Sequence, residues 1–406
     1  VTAHRSKTAS PPRLPGRHRP DVAVRAASAA QGARANRPRI VVAGLGDSGV
    51  LTAMRLARHF DVVGISGQPG LVSGQELGVR LARPDEWARD YWIPFERFRA
   101  LDPVRTAHAT LTGVDLEGRK VFGHNSDGSA MVEDFDALVI ATGVTNGFWR
   151  RPGHRSADEV AAQLRADHAR LAAARSVLVV GGGAAAVSSA ANLALTWPET
   201  CVELCFPGPR PLPHHHPRVW ARIARRLDGL GVVLRPGRRA VVPEGFGCDR
   251  ITAEPVEWST GQSPSSADAV LWAIGRVRPN TDWLPAGLLD DDGFVRVAPT
   301  LKVVGHENIW AVGDVAATDP LRSSARNRAD ELLARNVRAD FGGRRLRDYR
   351  APTRRWGSVL GAQPDGLEVF APNGTAFRFP AWSVRRVLQP WIVRRGIYRG
   401  VRPSGS

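Results

Sequence analysis

Two copies of one short pattern leave this 406-residue chain few architectures to adopt. The segment Arg39-Ile-Val-Val-Ala-Gly-Leu-Gly-Asp-Ser-Gly49 reads as a short buried strand that breaks into a glycine turn and continues as a helix. Ser176-Val-Leu-Val-Val-Gly-Gly-Gly-Ala-Ala-Ala186 repeats it 137 positions later. A second landmark, Asp136-Ala-Leu-Val-Ile-Ala-Thr-Gly143, returns as Asp268-Ala-Val-Leu-Trp-Ala-Ile-Gly275 at an offset of 132. Two landmarks recurring at nearly one offset indicate two related dinucleotide-binding units, each built on a parallel sheet. The expected fold is α/β, with two Rossmann-like domains followed by a small α+β module.

Each glycine position has a physical reason. Gly44 permits the tight strand-to-helix turn, Gly46 lets backbone approach a pyrophosphate with no Cβ in the way, and Gly49 lets the helix pack closely on the strand. Gly181 and Gly183 take the first two roles in the second copy, and Ala186 takes the third, where the requirement is packing room. A pyrophosphate in either turn would lie at a helix N-terminus, where unpaired N–H groups and the macrodipole favour negative charge.

The formal charge of +17 is concentrated at the two ends of the sequence. Residues 1–39 carry a net +8 and residues 344–406 a net +10, so the body between them is nearly neutral. Residues 1–38 are rich in Ala, Arg, Pro and Ser and cannot offset their ordering entropy by burial, so a disordered basic tail is expected there. No apolar run approaches the roughly 20 residues of a membrane-spanning helix. With three cysteines, Cys201, Cys205 and Cys248, neither a disulfide scaffold nor a metal ribbon is expected.

A third landmark, Asn308-Ile-Trp-Ala-Val-Gly-Asp-Val-Ala316, is a strand that ends in Gly313 and Asp314. An acid there can accept hydrogen bonds from ligand hydroxyls, or it can cap the following helix. The ordered set of GxGxxG at Gly44–Gly49, ATG at Ala141–Gly143, GGGxxA at Gly181–Ala186, AIGRxxPN across Ala273–Asn280 and AVGD at Ala311–Asp314 resembles the pyridine nucleotide-disulfide oxidoreductase superfamily. The resemblance covers residues 39 to about 340. It implies FAD on the first copy, held by Gly44, Gly46, Asp47, Ser48, Gly49, Thr142, Gly143, Gly313 and Asp314, the last on the ribityl chain. NADPH or NADH falls to the second copy, at Gly181, Gly183, Ala186 and Gly275. It also implies a nicotinamide domain, 154–280, inserted between the two parts of the FAD domain, 39–153 and 281–342. A C-terminal module, 343–406, follows.

No cysteine pair lies beside the expected flavin site, and Cys201 and Cys205, four apart on one strand, are roughly 13 Å apart. The chain therefore resembles the branch of apoptosis-inducing factor, ferroptosis suppressor and type II NADH dehydrogenase, in which flavin passes electrons directly to an external acceptor such as a quinone. Three departures stand out. Ser66 ends the strand where an acid usually holds the adenosine ribose, leaving Ser66 or Gln68 to substitute. The stretch Ser323–Leu332 lacks the paired glutamines of type II NADH dehydrogenases, and Ser188 stands where many relatives carry a glutamate near the nicotinamide. The second copy also lacks its ribose acid, because Phe206 lies at that position, while Arg210 follows with His214, His215, His216 and Arg218. Cations there suit a 2′-phosphate and favour NADPH over NADH.

Beyond residue 343, Gly366–Phe379 reads as a hairpin turning at Asn373-Gly374. Val384, Val387, Leu388, Trp391 and Ile392 then share one face of an α-helix, with Arg385, Arg386, Arg394 and Arg395 elsewhere and a kink at Pro390. Residues 381–406 suit docking on the protein's own body or a dimer partner, or an anionic membrane surface, and less well nucleic acid. The function expected is an FAD-dependent NAD(P)H oxidoreductase with a small-molecule or quinone acceptor. The alternatives are a reductase of an acidic protein carrier such as ferredoxin and a flavin redox sensor that binds nucleic acid. The expected location is cytoplasmic, or peripheral at the inner face of a membrane. No metal site and no catalytic side chain are assigned.

Overall fold

A computed structural model describes residues 37–72, 77–145, 155–274, 277–318, 329–351 and 356–403. Residues 1–36 of the expected basic tail, Gly275 and residues 323–328 lie outside these. Two parallel sheets form the core. The first has seven strands in the order Ile309–Ala311, Ala137–Ile140, Arg39–Ala43, Asp61–Ser66, Val104–Asp115, Lys120–Asn125 and Ala130–Asp134, with the first five parallel and the last two antiparallel. The second has four parallel strands in the order Val233–Arg235, Cys201–Cys205, Ser176–Val180 and Ala269–Trp272. A strand from residue 309 thus closes the edge of a sheet begun at residue 39, and the second sheet lies between them in sequence.

The central strands, residues 40–43, Ala137–Ile140 and Ile309–Ala311 in the first sheet and residues 177–180 and Ala269–Trp272 in the second, read as apolar runs because parallel strands there are covered on both faces. Alternate side chains go to opposite cores. Ile40, Val42, Val62, Val139 and Trp310 face one core of the first sheet, and Val41, Val63, Ile65, Leu138 and Ile309 face the other. In the second sheet Val177, Val179, Val202, Leu204 and Leu271 oppose Leu178, Val180, Cys205, Val270 and Trp272. The repeated aspartates share one structural task. Asp136 accepts from the Arg39 N–H at 2.6 Å, and Asp268 accepts from the Arg175 and Ser176 N–H groups at 2.8 and 3.0 Å. Each acid thereby ties its own strand to the start of the neighbouring cradle strand, and the two amides hold the Asp268 carboxyl below its ordinary range.

The C-terminal module braces both halves. Its strands Ala362–Gln363, Gly366–Phe370 and Ala376–Phe379 form an antiparallel sheet, with Gly374 at φ +80° in the turn. Phe370, Val359 and Leu360 join the core of the second sheet, while Val393 and Tyr398 join that of the first. The expected α-helical face is corrected by the structure. Val384–Ile397 is wound as a π-helix through Pro390. The wider turn brings Val384, Leu388, Val393 and Ile397 inward, at steps of four, five and four, and leaves Val387, Trp391 and Ile392 exposed. A period of 3.6 groups the wrong residues when the chain winds with i→i+5 bonds.

One buried polar node locks the module to the helix Ala184–Thr196. Asn192, fully buried, donates to the carbonyls of Ser188 and Leu360 at 2.8 and 2.9 Å and accepts from Arg83 and Gln363 at 3.0 and 3.1 Å. Asn192→Ala removes these bonds and leaves buried partners short of them, which costs about 2–4 kcal/mol. Urea unfolding should show a lower midpoint at an unchanged slope.

Candidate functional site

The two glycine turns are the same object at the level of the backbone. Gly44 N–H donates to Ile65 O and Gly181 N–H to Cys205 O, both at 2.8 Å. Ala141 N–H reaches Ala43 O at 2.7 Å, and Ala273 N–H reaches Val180 O at 2.8 Å. Gly44 has φ +99°, and a Cβ on it would stand 2.5 Å from the Ala141 carbonyl oxygen. Gly181 has φ +145°, with the same group 2.4 Å from Ala273 O. Neither position accepts a side chain. A Cβ on Gly49 would meet Gly44 O at 1.9 Å, whereas Ala186 keeps a real methyl, 3.2 Å from where a Gly181 Cβ would lie.

Gly46 and Gly183 are different, because a Cβ on either would meet nothing within 4 Å. They are the N-caps of helices Asp47–Leu56 and Ala184–Thr196, and as glycines they offer no capping side chain of their own. Helix N–H groups beside open space fit the phosphates of a dinucleotide at both turns. Around the first turn the expected residues come together: a Cβ on Gly44 would touch Thr142 Cα at 2.7 Å, and one on Gly313, at φ +82°, would touch Ser48 Oγ at 2.9 Å. Gly143, at φ +66°, faces open space. Asp314 follows Gly313, half-buried. The Thr142 hydroxyl donates to Asn280 O at 2.8 Å, and Asn280 Nδ2 returns a bond to Thr142 O at 3.0 Å. Thr142 therefore clips the ATG segment to the crossing at Arg278–Pro279, which pairs antiparallel with Val144–Thr145.

Beyond the strand Asp61–Ser66 lies a cavity of about 370 Å³, within the range of ligand sites. Gln68, Phe95, Asp102, Thr106 and His108 line it. Ser66 Oγ accepts from the Gln68 N–H at 3.1 Å, and His108 Nε2 lies 3.1 Å from Gly67 O. Sequence reasoning missed Thr106 and His108, because only the register that sets Ser66 beside His108 brings them here. Periodicity along one strand carries no information about its neighbour.

At the second turn, Phe206 is buried and no acid ends the strand Cys201–Cys205. The loop after it folds back onto the turn, where Leu212 N–H donates to Gly182 O at 2.7 Å. Arg210 Nη2 donates weakly to His215 O at 3.4 Å, while Nη1 is buried without a hydrogen-bond partner among the described residues. Burial, then the charges of His214 and Arg210, pushes His215 down, so it is neutral at neutral pH. His216 accepts from Arg218 N–H at 3.2 Å and caps the helix Pro217–Asp228. Ser188 is buried and donates to Leu360 O at 3.2 Å. All three cysteines are free, and burial pushes the Cys205 thiol up to about 12, where it is a poor nucleophile.

The sequence of this chain is similar to known proteins over most of its length. Residues 26–331 match the family model of the pyridine nucleotide-disulphide oxidoreductases. The oxidoreductase ptaL of Pestalotiopsis fici is 25% identical over 384 residues, covering 87% of this chain and 96% of that protein. The type II NADH:quinone oxidoreductase of Mycobacterium tuberculosis is 24% identical over 283 residues, or 59% of each. An engineered water-forming NADPH oxidase bound to NADPH, made from the NADH oxidase of Lactobacillus brevis, superposes with a TM-score of 0.61 at 17% identity. It covers 82% of this chain and 74% of that one. With the twin glycine turns, the two parallel sheets and a match across both, the chain belongs to the pyridine nucleotide-disulphide oxidoreductase family and is a flavin-dependent NAD(P)H oxidoreductase.

Proposed function

We propose that this protein oxidises NADPH through FAD and delivers the electrons to a quinone reached at an anionic membrane surface. The observation that carries the cofactor assignment is the pair of glycine turns with one hydrogen-bond pattern. In this reading Gly44, Gly46, Asp47, Ser48 and Gly49 cradle the FAD pyrophosphate, Gly143, Gly313 and Asp314 border the flavin half, and Ser66, Gln68 and His108 face the adenosine half. Thr142 keeps that border in place through Asn280. Gly181, Gly183 and Ala186 cradle the NADPH pyrophosphate. The chemistry that a bound flavin supplies is two-electron reduction by the nicotinamide and release of those electrons to an acceptor. The protein's own residues orient both dinucleotides and keep water from the space between them.

NADPH rather than NADH is supported by Arg210, whose buried Nη1 lacks a partner among the described residues, and by the missing acid at Phe206. A guanidinium with an unused donor suits a 2′-phosphate. The replacements that made the engineered NADPH oxidase run the same way: they include aspartate to alanine, glycine to alanine, and two substitutions to arginine. The membrane-held quinone is supported by the outer side of the C-terminal helix. Trp382 is 60% and Trp391 58% exposed, beside exposed Ile392, Arg385, Arg386 and Arg395. Arg395 lies over the Trp391 ring at 4.9 Å. Amphipathic rings flanked by arginines suit the interface of an anionic bilayer. Among the described residues no helix is long and apolar enough to cross one.

Gly44→Ala should destabilise the fold by about 2–4 kcal/mol through clash and strain. Gly46→Ala and Gly183→Ala should keep the melting temperature of the flavin-free chain and weaken FAD or NADP⁺ binding, respectively, on the order of tenfold. Arg210→Ala should raise KM for NADPH about tenfold and leave NADH unaffected; a tenfold NADH preference in the parent chain overturns the NADPH assignment. The variant carrying both Trp382→Ser and Trp391→Ser should lose co-sedimentation with phosphatidylglycerol vesicles. Equal sedimentation of parent and variant removes the membrane part, and steady turnover with a ferredoxin but not with a soluble quinone assigns a protein acceptor instead.

A further inference from the structure

The end of the described chain lies against the first glycine turn. Tyr398 is buried, packs edge-on against Phe98 with ring centroids 5.3 Å apart, and donates its phenol to Asp47 Oδ1 at 2.8 Å. Asp47 is the first residue of the cradle helix, beside its N-cap Gly46. A carboxylate at this position is well placed to accept from the first N–H groups of its own helix. It would then compete with a pyrophosphate for the same donors.

Four residues on, Arg402 grips the wall of the adjoining cavity. Its guanidinium donates to both oxygens of Asp102, at 2.9 and 2.7 Å, and to the Glu96 carbonyl at 3.0 Å. Arg97 Nε returns a bond to Arg402 O at 2.9 Å. The backbone adds Arg99 N–H to Gly400 O at 3.1 Å and Arg402 N–H to Arg97 O at 2.7 Å. Glu96 and Asp102 line the 370 Å³ cavity beside Gln68 and His108. One stretch, residues 398–402, therefore holds both the acid at the phosphate turn and the wall of the cavity beyond it. Arg402 holds the Asp102 carboxyl below its ordinary range, so the pair stays ionised at neutral pH and is lost only as pH falls through that lowered value.

We propose that residues 398–402 are a positioning element for the dinucleotide of the first cradle: Tyr398 restrains the Asp47 carboxylate so that it leaves the helix N–H groups to the phosphates, and Arg402 fixes the wall of the adenosine cavity. This rests on the reading that FAD occupies that cradle. Tyr398 and Arg402 act through Asp47 and the 95–102 segment and make no contact with the reaction.

The test uses the full chain stripped of flavin, with FAD, ADP and NADP⁺ as titrants, and measures dissociation constants and melting temperature. Tyr398→Phe keeps the ring stack and removes one hydroxyl; it should weaken FAD about tenfold while NADP⁺ binding is unchanged. Adding Asp47→Asn to Tyr398→Phe should restore FAD affinity to within about twofold of the parent, because the competing charge is gone. A merely structural loss would not be rescued by that change. Arg402→Ala should weaken FAD and ADP by similar factors. FAD binding by Tyr398→Phe and Arg402→Ala as tight as in the parent overturns the proposal, as does failure of Asp47→Asn to rescue. A parent chain that binds no FAD overturns the cradle assignment itself, and the tail's role with it.

Discussion

Two backbone crossings, each too close for any side chain, support everything else in this molecule. At Gly44 and Gly181 the strand turns beneath the end of its neighbour at a distance where a Cβ would overlap a carbonyl oxygen. That approach lets the following helix begin directly at the carboxyl edge of the sheet, behind an N-cap glycine that supplies no capping side chain. A substituent at either glycine would push helix and strand apart and displace the donors from the space they face. The helix start at each turn is thus a consequence of a packing constraint, and it occurs twice because the constraint occurs twice.

The C-terminal module is held to this frame by polar contacts of unequal kind. Asn192 is fully buried and bonds to Ser188, Leu360, Arg83 and Gln363, so it specifies where Leu360 and Gln363 must sit. The surface pairs of the module, Arg222 with Glu368 and Arg378 with Asp365, are partly exposed and add little stability individually. Part of the excess positive charge at this end is internal to the fold, because Arg394 and Arg402 reach Asp90 and Asp102. Arg385, Arg386 and Arg395 are exposed beside Trp382 and Trp391.

The π-helix explains why that set lies where it does. Read at 3.6 residues per turn, Val384, Val387, Leu388, Trp391 and Ile392 form one stripe, and the arginines fall elsewhere. Wound more widely, the chain buries Val384 and Val393 and turns Trp391 outward among the arginines. Pro390 lacks the N–H that a regular helix would use, so its presence is consistent with altered winding, though the amino-acid order does not encode which winding results.

The order of residues alone determined the duplicated glycine turn and the α/β class. Each is local: a turn needs glycine wherever it occurs, and a strand buried on both faces is apolar along its whole length. Tertiary structure alone decided that His108 stands beside Ser66, that Thr142 spends its hydroxyl on Asn280, that Arg210 keeps a buried donor unused among the described residues, and that Tyr398 reaches Asp47 across 351 positions of chain. Those contacts join segments whose own periodicities are independent. Their pairing follows from strand register and from which surfaces remain to be covered once the two sheets have formed, and neither is written in any single stretch of sequence.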